Sequence, residues 1–528
     1  MDDAPQDAVP VSSPKKPTPV ALYIGLALIP FIALCYKEYR YGMAFPYWDA
    51  WHFAFILEKF QAGTLSFADF WAQHNEHRVV FPRLLMFGLA RLSGWNVAWE
   101  LVASMVLGVA TFLLCTATAL RKTATAPRPW WIVPVFSLLI FSWVQMENWA
   151  WGWEVNVFLN TFSVVSAAVL LTVAPLNPLR FVLALCAALV TSFCFANGLL
   201  CWIALAPLII LAPDLVREKK IIYSLLWIAA GVLVIQLYLL DYHKPEVSPS
   251  LGSILQAPIE FISYGLVYIG APITGMFTQP AWHGYAPPVG FGHFIPGLLG
   301  LAALPVIVWR LYKKGGDYRP YLPWAGLILY VLGSATITAA GRAGFGLEQA
   351  MTSRYMTMTT LYWLGLIALG GHAFADSELR RKLPTAKGGL VATLAIVLFL
   401  GTLYSAHQSQ RNWEQNVRWK QFGWTALLAG HEAPLYLQDL CWDPVELRDV
   451  FLPILRKGHW AGFGEGPIKP VEKAGAFVAE AEGFMKAGLL PQAKTYLETA
   501  LLLDPGHTGA QVRYEELRKM FQEAGLGN

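Results

Sequence analysis

Charge is what this sequence has least of. Only 14% of its 528 residues are Asp, Glu, Lys or Arg, where soluble domains carry roughly a quarter. With 56% hydrophobic residues, that scarcity excludes an ordinary soluble domain and implies a polytopic membrane protein. The net charge of +4 is small and sits in short basic clusters between apolar runs, a pattern of membrane orientation and not of nucleic-acid binding. Cysteine is equally sparse. Cys115, Cys186, Cys194 and Cys201 fall inside apolar runs, Cys35 lies near a membrane edge, and Cys441 stands in a polar segment. No CxxC or Cys/His spacing occurs, so neither a zinc site nor a disulfide framework is implied. A small-residue cleavage site after the first apolar run is also missing, so residues 1–18, with Lys15 and Lys16, read as a cytoplasmic tail before a retained anchor. Trp and Pro, by contrast, are plentiful at 22 and 34, which suits interfacial belts and broken helices.

The apolar runs, oriented by their Lys and Arg clusters, predict an all-α polytopic membrane protein of about eleven transmembrane helices in residues 19–405. The first span, 19–36, leaves the cytoplasm and opens a long extracytoplasmic loop, 37–96. The charge-free stretch between Arg180 and Asp214 would be about 50 Å long as one helix, so a hairpin turning at Asn197-Gly198 is expected. Residues 257–277, with Glu260, Pro272 and several glycines, read as a re-entrant or interfacial helix on the outer face. The last span is 390–405, and the C-terminus lies outside.

From residue 406 to 528 the composition is that of a soluble, extracytoplasmic helical domain. In 474–524, Gly488, Ala493, Leu497, Ala500 and Pro505, with Phe477 and Phe484, fit a roughly 34-residue helix-turn-helix repeat of tetratricopeptide (TPR) type. Earlier helices at 413–428 and 444–456 would complete the stack. Such a tail either docks a protein partner or caps the outer face.

Four polar clusters could carry chemistry. Asp49 stands among aromatics (Trp48, Trp51) with His52 nearby, where partial desolvation would raise its basicity, or else it caps the helix that follows. His74, Asn75, Glu76, His77 and Arg78 immediately precede an apolar helix, a setting for anions or for an amphipathic turn in the headgroups. Arg342, within a glycine-rich stretch, and Arg354-Tyr355 flank consecutive spans. They suit bidentate phosphate contact or snorkelling. Gln145, Glu147, Asn148 and Glu154, in a stretch with Trp149 and Trp151, suit sugar stacking and hydrogen bonding or an aromatic belt.

An early acid in the first outer loop, a His/Glu cluster entering a Pro-started helix, many spans and an outer C-terminal domain together resemble the GT-C superfamily of integral membrane glycosyltransferases. The resemblance covers roughly residues 19–405, and the repeat-like tail is similar in layout to membrane O-mannosyltransferases. It implies a polyprenyl-phosphate-linked sugar as donor, a glycan, lipid or protein acceptor, and a bacterial inner membrane location. Asp49 matches the family's loop-one catalytic acid by position. The sequence departs from the family where Ala50, not a second acid, follows Asp49. That makes Glu76 the expected second acid and leaves Mg2+ or Mn2+ open. Two other classes compete: a flippase for lipid-linked glycans would place its charges at mid-membrane, and an O-antigen ligase or polymerase would carry its large loop late in the chain.

Overall fold

The computed structural model describes residues 20–121, 128–173, 175–244, 257–278, 281–282, 287–374, 397, 399–401, 404, 413–464 and 466–524. Among them the regular elements are helical, and extended backbone pairs only in isolated bridges. The chain runs through α1 (Val20–Tyr41), α2 (Ala54–Gln61), α3 (Phe67–Trp71), α4 (Val80–Ser93), α5 (Ala98–Ala119), α6 (Ile132–Ile140), α7 (Met146–Ala150) and α8 (Val155–Thr172). It continues with α9 (Pro178–Ser192), α10 (Cys201–Ile210), α11 (Arg217–Leu239), α12 (Pro258–Thr274), α13 (Ile295–Lys314), α14 (Leu322–Arg342) and α15 (Ser353–Ala373).

Among the described residues, six helical stretches are long and apolar enough to cross a membrane: Val20–Tyr41, Ala98–Ala119, Gly152–Thr172, Arg217–Leu239, Phe291–Lys314 and Arg319–Phe345. The outward faces of α1, α11 and α13 show Ile24, Ile32, Leu225, Leu233, Leu298 and Val306 to the surroundings. Apolar surface on that scale is stable against lipid, not water. The chain is therefore an all-α, membrane-embedded protein.

The charge-free stretch breaks where expected. Chain at Phe193–Phe195 and a 3-10 turn, Ala196–Leu200, separate α9 from α10. Gly198 is required there, because a Cβ would meet the Thr191 carbonyl oxygen at 1.9 Å. Residues 257–278 hold one continuous helix, α12, about 25 Å long by its 17 residues. It packs along α13, α14 and α15, touching α13 backbone to backbone at Gly270 and Gly297. The expected last span, 390–405, falls mostly outside the described residues.

Two cores organise the C-terminal segment. Residues 413–428 (α16), Pro434–Leu440 (α17) and Leu452–Gly458 (α18) share the hydrophobic core of the membrane bundle. The Trp51 indole is fully buried, donates to the Leu440 carbonyl at 2.9 Å and stacks on Phe451 at 6.1 Å. Phe45 stacks on Trp424, and the Ala461 N–H bonds the Gly94 carbonyl at 2.8 Å. Ala474–Lys486 (α19), Leu490–Leu503 (α20) and Thr508–Glu523 (α21) pack through a second core around Phe422, Phe477 and Tyr496.

Candidate active site

The first loop presents its acid through a 3-10 helix, Trp48–Phe53. At three residues per turn, Asp49 and His52 share one face while Ala50, Trp51 and Phe53 are buried. Asp49 does not cap the element. Tyr47 occupies the cap position, and no side chain caps there.

The His74–Arg78 cluster takes a different form from the expected helix start. Helix α4 begins only at Val80, and residues 74–77 form a tight turn. His74 N–H donates to the His77 carbonyl and His77 N–H to the His74 carbonyl, each at 2.8 Å. Asn75 supplies the left-handed corner at φ 50°, a conformation its short polar side chain tolerates. A cross-paired turn places both imidazoles on one side. His74 Nε2 lies 3.5 Å from Asp49 Oδ2, and its ring sits 5.5 Å from that of His52 and 4.9 Å from Trp153.

The end of α11 holds this turn in place. Gln73 Nε2 donates to the His243 carbonyl at 2.6 Å, His243 N–H returns to Gln73 Oε1 at 3.0 Å, and Tyr238 Oη donates to the Glu76 carbonyl at 2.8 Å. Arg78 belongs to the same clamp and not to a ligand pocket. It is 3% exposed and donates to the carbonyls of Tyr238 (2.7 Å), Trp71 (2.9 Å) and Leu240. Those carbonyls at the end of a helix lack intrahelical partners, which is why a buried guanidinium is stable there.

Both arginines from the late part of the chain reach this region. Arg342, the last residue of α14, forms an ion pair with Glu76. After it the backbone turns at Gly346, φ 100° and ψ 159°, a conformation open to glycine. Arg354, in the first turn of α15, places Nε 3.8 Å from Glu147 Oε2 and lies in electrostatic range of Asp49 and Glu154. The Tyr355 ring packs at a 45° tilt against that of Tyr268, centroids 5.4 Å apart.

The loop carrying Glu147 and Asn148 is packed inside the protein. Trp149 is fully buried, fitted where Gly108 of α5 leaves space that a Cβ would fill at 2.5 Å. Trp151 is 2% exposed and donates to the Tyr47 carbonyl at 3.0 Å. These indoles are therefore neither an interfacial belt nor an open stacking platform. Asn148 is likewise structural: its amide bonds the Arg354 carbonyl at 3.1 Å and Thr357 Oγ1 at 2.6 Å, tying α7 to α15. Glu147 differs, since its carboxylate faces Arg354.

Electrostatics set the ionisation of the cluster. Burial pushes the Asp49 carboxyl up, but His74, Arg354 and His52 outweigh it and hold Asp49 below the usual carboxylate range. The raised basicity expected from desolvation is thus reversed, chiefly by the hydrogen bond from His74 and by the charge nearby. Glu76 behaves alike, burial opposed and exceeded by His77 and Arg342. Burial drives His77 down to about 4. Its Nδ1 accepts the Ala196 N–H at 3.2 Å, so the ring proton sits on Nε2, 3.8 Å from Glu76 Oε1. Burial also lowers His52. At neutral pH the cluster holds two ionised carboxylates, two guanidinium groups and at least two neutral imidazoles.

Two members of the cluster carry no local signature in the sequence. Lys420 of α16 is 6% exposed, lies over the Tyr47 ring at 5.1 Å, and is lowered to about 8 by burial, with Asp439 and Glu147 opposing. Asp439 of α17 is raised, again by burial. They meet the site only because the tail folds back onto the first loop. Glu154, from the same polar group as Glu147 and 4% exposed, adds a further acid near Arg354. Among the described residues no three His, Cys, Asp or Glu side chains are gathered to hold a metal ion, and Glu76, the expected second acid, is engaged by Arg342.

Comparison of the chain with protein-family models, with curated proteins and with solved structures gave no match. The geometry presents an ionised carboxylate, Asp49, with His74 beside it and Arg354 in electrostatic range, and Arg342 paired to Glu76 on the same turn as His74.

Proposed function

We propose that this protein is an integral membrane glycosyltransferase of the GT-C kind. It would transfer a sugar from a polyprenyl-phosphate donor to an acceptor hydroxyl on the extracytoplasmic face. The observation that carries the reading is the convergence of Asp49, His74, Glu76, Arg342 and Arg354 at one end of the helical bundle. An arginine fork suits a lipid phosphate. Arg354, with 35% of its side chain exposed, keeps an edge of its guanidinium reachable.

In this mechanism the donor phosphate lies against Arg354, assisted by Arg342. The acceptor oxygen attacks the anomeric carbon from the opposite face and inverts it. The new C–O bond forms as the bond to phosphate breaks, the lipid phosphate leaves with the electron pair, and Asp49 takes the hydroxyl proton. A carboxylate of ordinary or low basicity is adequate here. The transition state has oxocarbenium character, so the hydroxyl becomes acidic as its bond to carbon forms. The phosphate is already a good leaving group and needs no acid.

About eleven spans with the N-terminus in the cytoplasm would place this cluster in the periplasm of a bacterial inner membrane. Residues 406–528 would then form an extracytoplasmic domain, with a TPR-like unit at 474–524. In that role α19 to α21 offer a protein partner a surface, while α16 to α18 complete the site. The test is a product assay in membranes expressing the full chain, supplied with radiolabelled polyprenyl-phosphate sugar. Label appearing in a larger glycan, lipid or protein supports the reading. Label crossing the bilayer on unchanged donor would instead show a flippase.

A further inference from the structure

A cavity of about 350 Å3 lies beside the first loop, and neither Arg342 nor Arg354 is among its lining residues. His52 and His74 form one wall, Phe55 and Ile56 the floor, and Lys59, Asp69, Gln73, Asn75 and Arg83 the rest. The size is at the small end of ligand pockets, roughly 300–1,000 Å3. That is room for one compact polar molecule.

The lining is unusual in what it leaves uncompensated. Lys59 is ion-paired with Asp69, whose other oxygen is taken by Ser66, so those charges cancel. Arg83 is 8% exposed, yet among the described residues no carboxylate pairs with it. Its Nη1 alone is bonded, to the carbonyls of Phe70 (3.2 Å) and Ala72. A buried cation without an anion is costly and calls for one. The lining thus offers a guanidinium, the amide of Asn75 and an aromatic ring at Phe55. The inner wall, His74, is the residue in contact with Asp49.

We propose that this cavity is the acceptor subsite and that it takes the terminal sugar of the acceptor bearing one acidic group, a carboxylate or a phosphate. Arg83 binds the acid, Asn75 binds a hydroxyl, and Phe55 packs against a ring face. The identification of the cavity as an acceptor subsite rests on the glycosyltransferase reading, but the binding of an anionic sugar does not.

The test uses the full chain in lipid nanodiscs and saturation-transfer NMR with titration. The probes are glucuronic acid, glucose 6-phosphate and glucose. At least one acidic probe is expected to bind tenfold or more tightly than glucose, and the two acidic arms tell carboxylate from phosphate. Ala72 is exposed at the rim, so Ala72→Phe fills the cavity without touching the core and is expected to abolish the signal. Arg83→Gln is expected to erase the preference for acid. Equal binding of all three sugars, or undiminished binding in folded Ala72→Phe, overturns the proposal. Acidic-sugar binding without any transfer from polyprenyl-phosphate sugar would overturn the enzyme reading and leave the cavity's ligand class standing.

Discussion

Arg342, the final residue of α14, is ion-paired with Glu76 in the first loop, 266 positions earlier in the chain. Each partner is only 25% exposed. The pair joins the loop that carries Asp49 to the turn that precedes Arg354, and so fixes the separation of acid and arginine. Breaking one partner of a fully buried pair costs about 3–5 kcal/mol. With a quarter of each side chain in solvent, Glu76→Gln or Arg342→Gln is expected to cost about 1–2 kcal/mol. In a double-mutant cycle read by thermal unfolding, the double variant should be more stable than the sum of the single losses implies. Additive losses would mean that the pair does not couple the two segments.

Acid sensitivity follows from the imidazoles. His77 is held near 4 by burial, below the roughly 6.5 of an unfolded histidine. The unfolded chain therefore binds the extra proton first. The stability that neutral His77 contributes is complete above about pH 6.5 and is lost as pH falls toward 4. His52, also lowered, adds in the same direction. Unfolding temperature measured from pH 7.5 to 4.5 should fall steeply, and His77→Gln should flatten part of that fall. An unchanged slope in the variant would contradict the assignment of His77 as a buried neutral group.

Arg78 separates scaffold from site. It bonds three backbone carbonyls at the end of α11 and the start of the loop. Hydrogen bonds from a charged donor contribute about 1.5–3 kcal/mol each, so Arg78→Ala is expected to lose at least ~3 kcal/mol of stability. In protein that remains folded at low temperature, the donor KM should be unaltered. A raised KM with full stability would place Arg78 at the substrate after all.

Trp51 anchors the tail. Removing a buried indole costs about 3–5 kcal/mol, and this one bonds Leu440 and stacks on Phe451. Trp51→Ala should leave the membrane helices assembled but expose residues 413–464 to limited proteolysis. Equal protection in variant and parent would mean that the tail is held by other contacts.

The sequence makes the class of the fold plain, because lipid-facing helices must be apolar over their whole length and the break near Asn197-Gly198 falls where a single helix would be too long. It also marks the residues that reach the site from the first loop and from the α14–α15 turn. It misses direction. Arg78 and Asn148 are polar neighbours of site residues, and nothing in a string of letters distinguishes a side chain aimed at a cavity from one aimed at a carbonyl. The tryptophans at 149 and 151 look like a membrane belt by composition, but tertiary packing against Gly108 and Tyr47 places them inside. Asp49 was legible as a position and not as an acid strength, since its ionisation depends on His74 and Arg354, separated from it in sequence and adjacent in space. Lys420 and Asp439 lie hundreds of residues from the first loop, and only the folded tail brings them to it.

The most direct measurement is sugar transfer from radiolabelled polyprenyl-phosphate donor by Asp49→Asn in membranes, at expression and unfolding temperature matched to the parent. Loss of a positioned general base is expected to slow transfer roughly 100- to 10,000-fold while donor binding persists. Transfer by Asp49→Asn at the parent's rate would contradict the account.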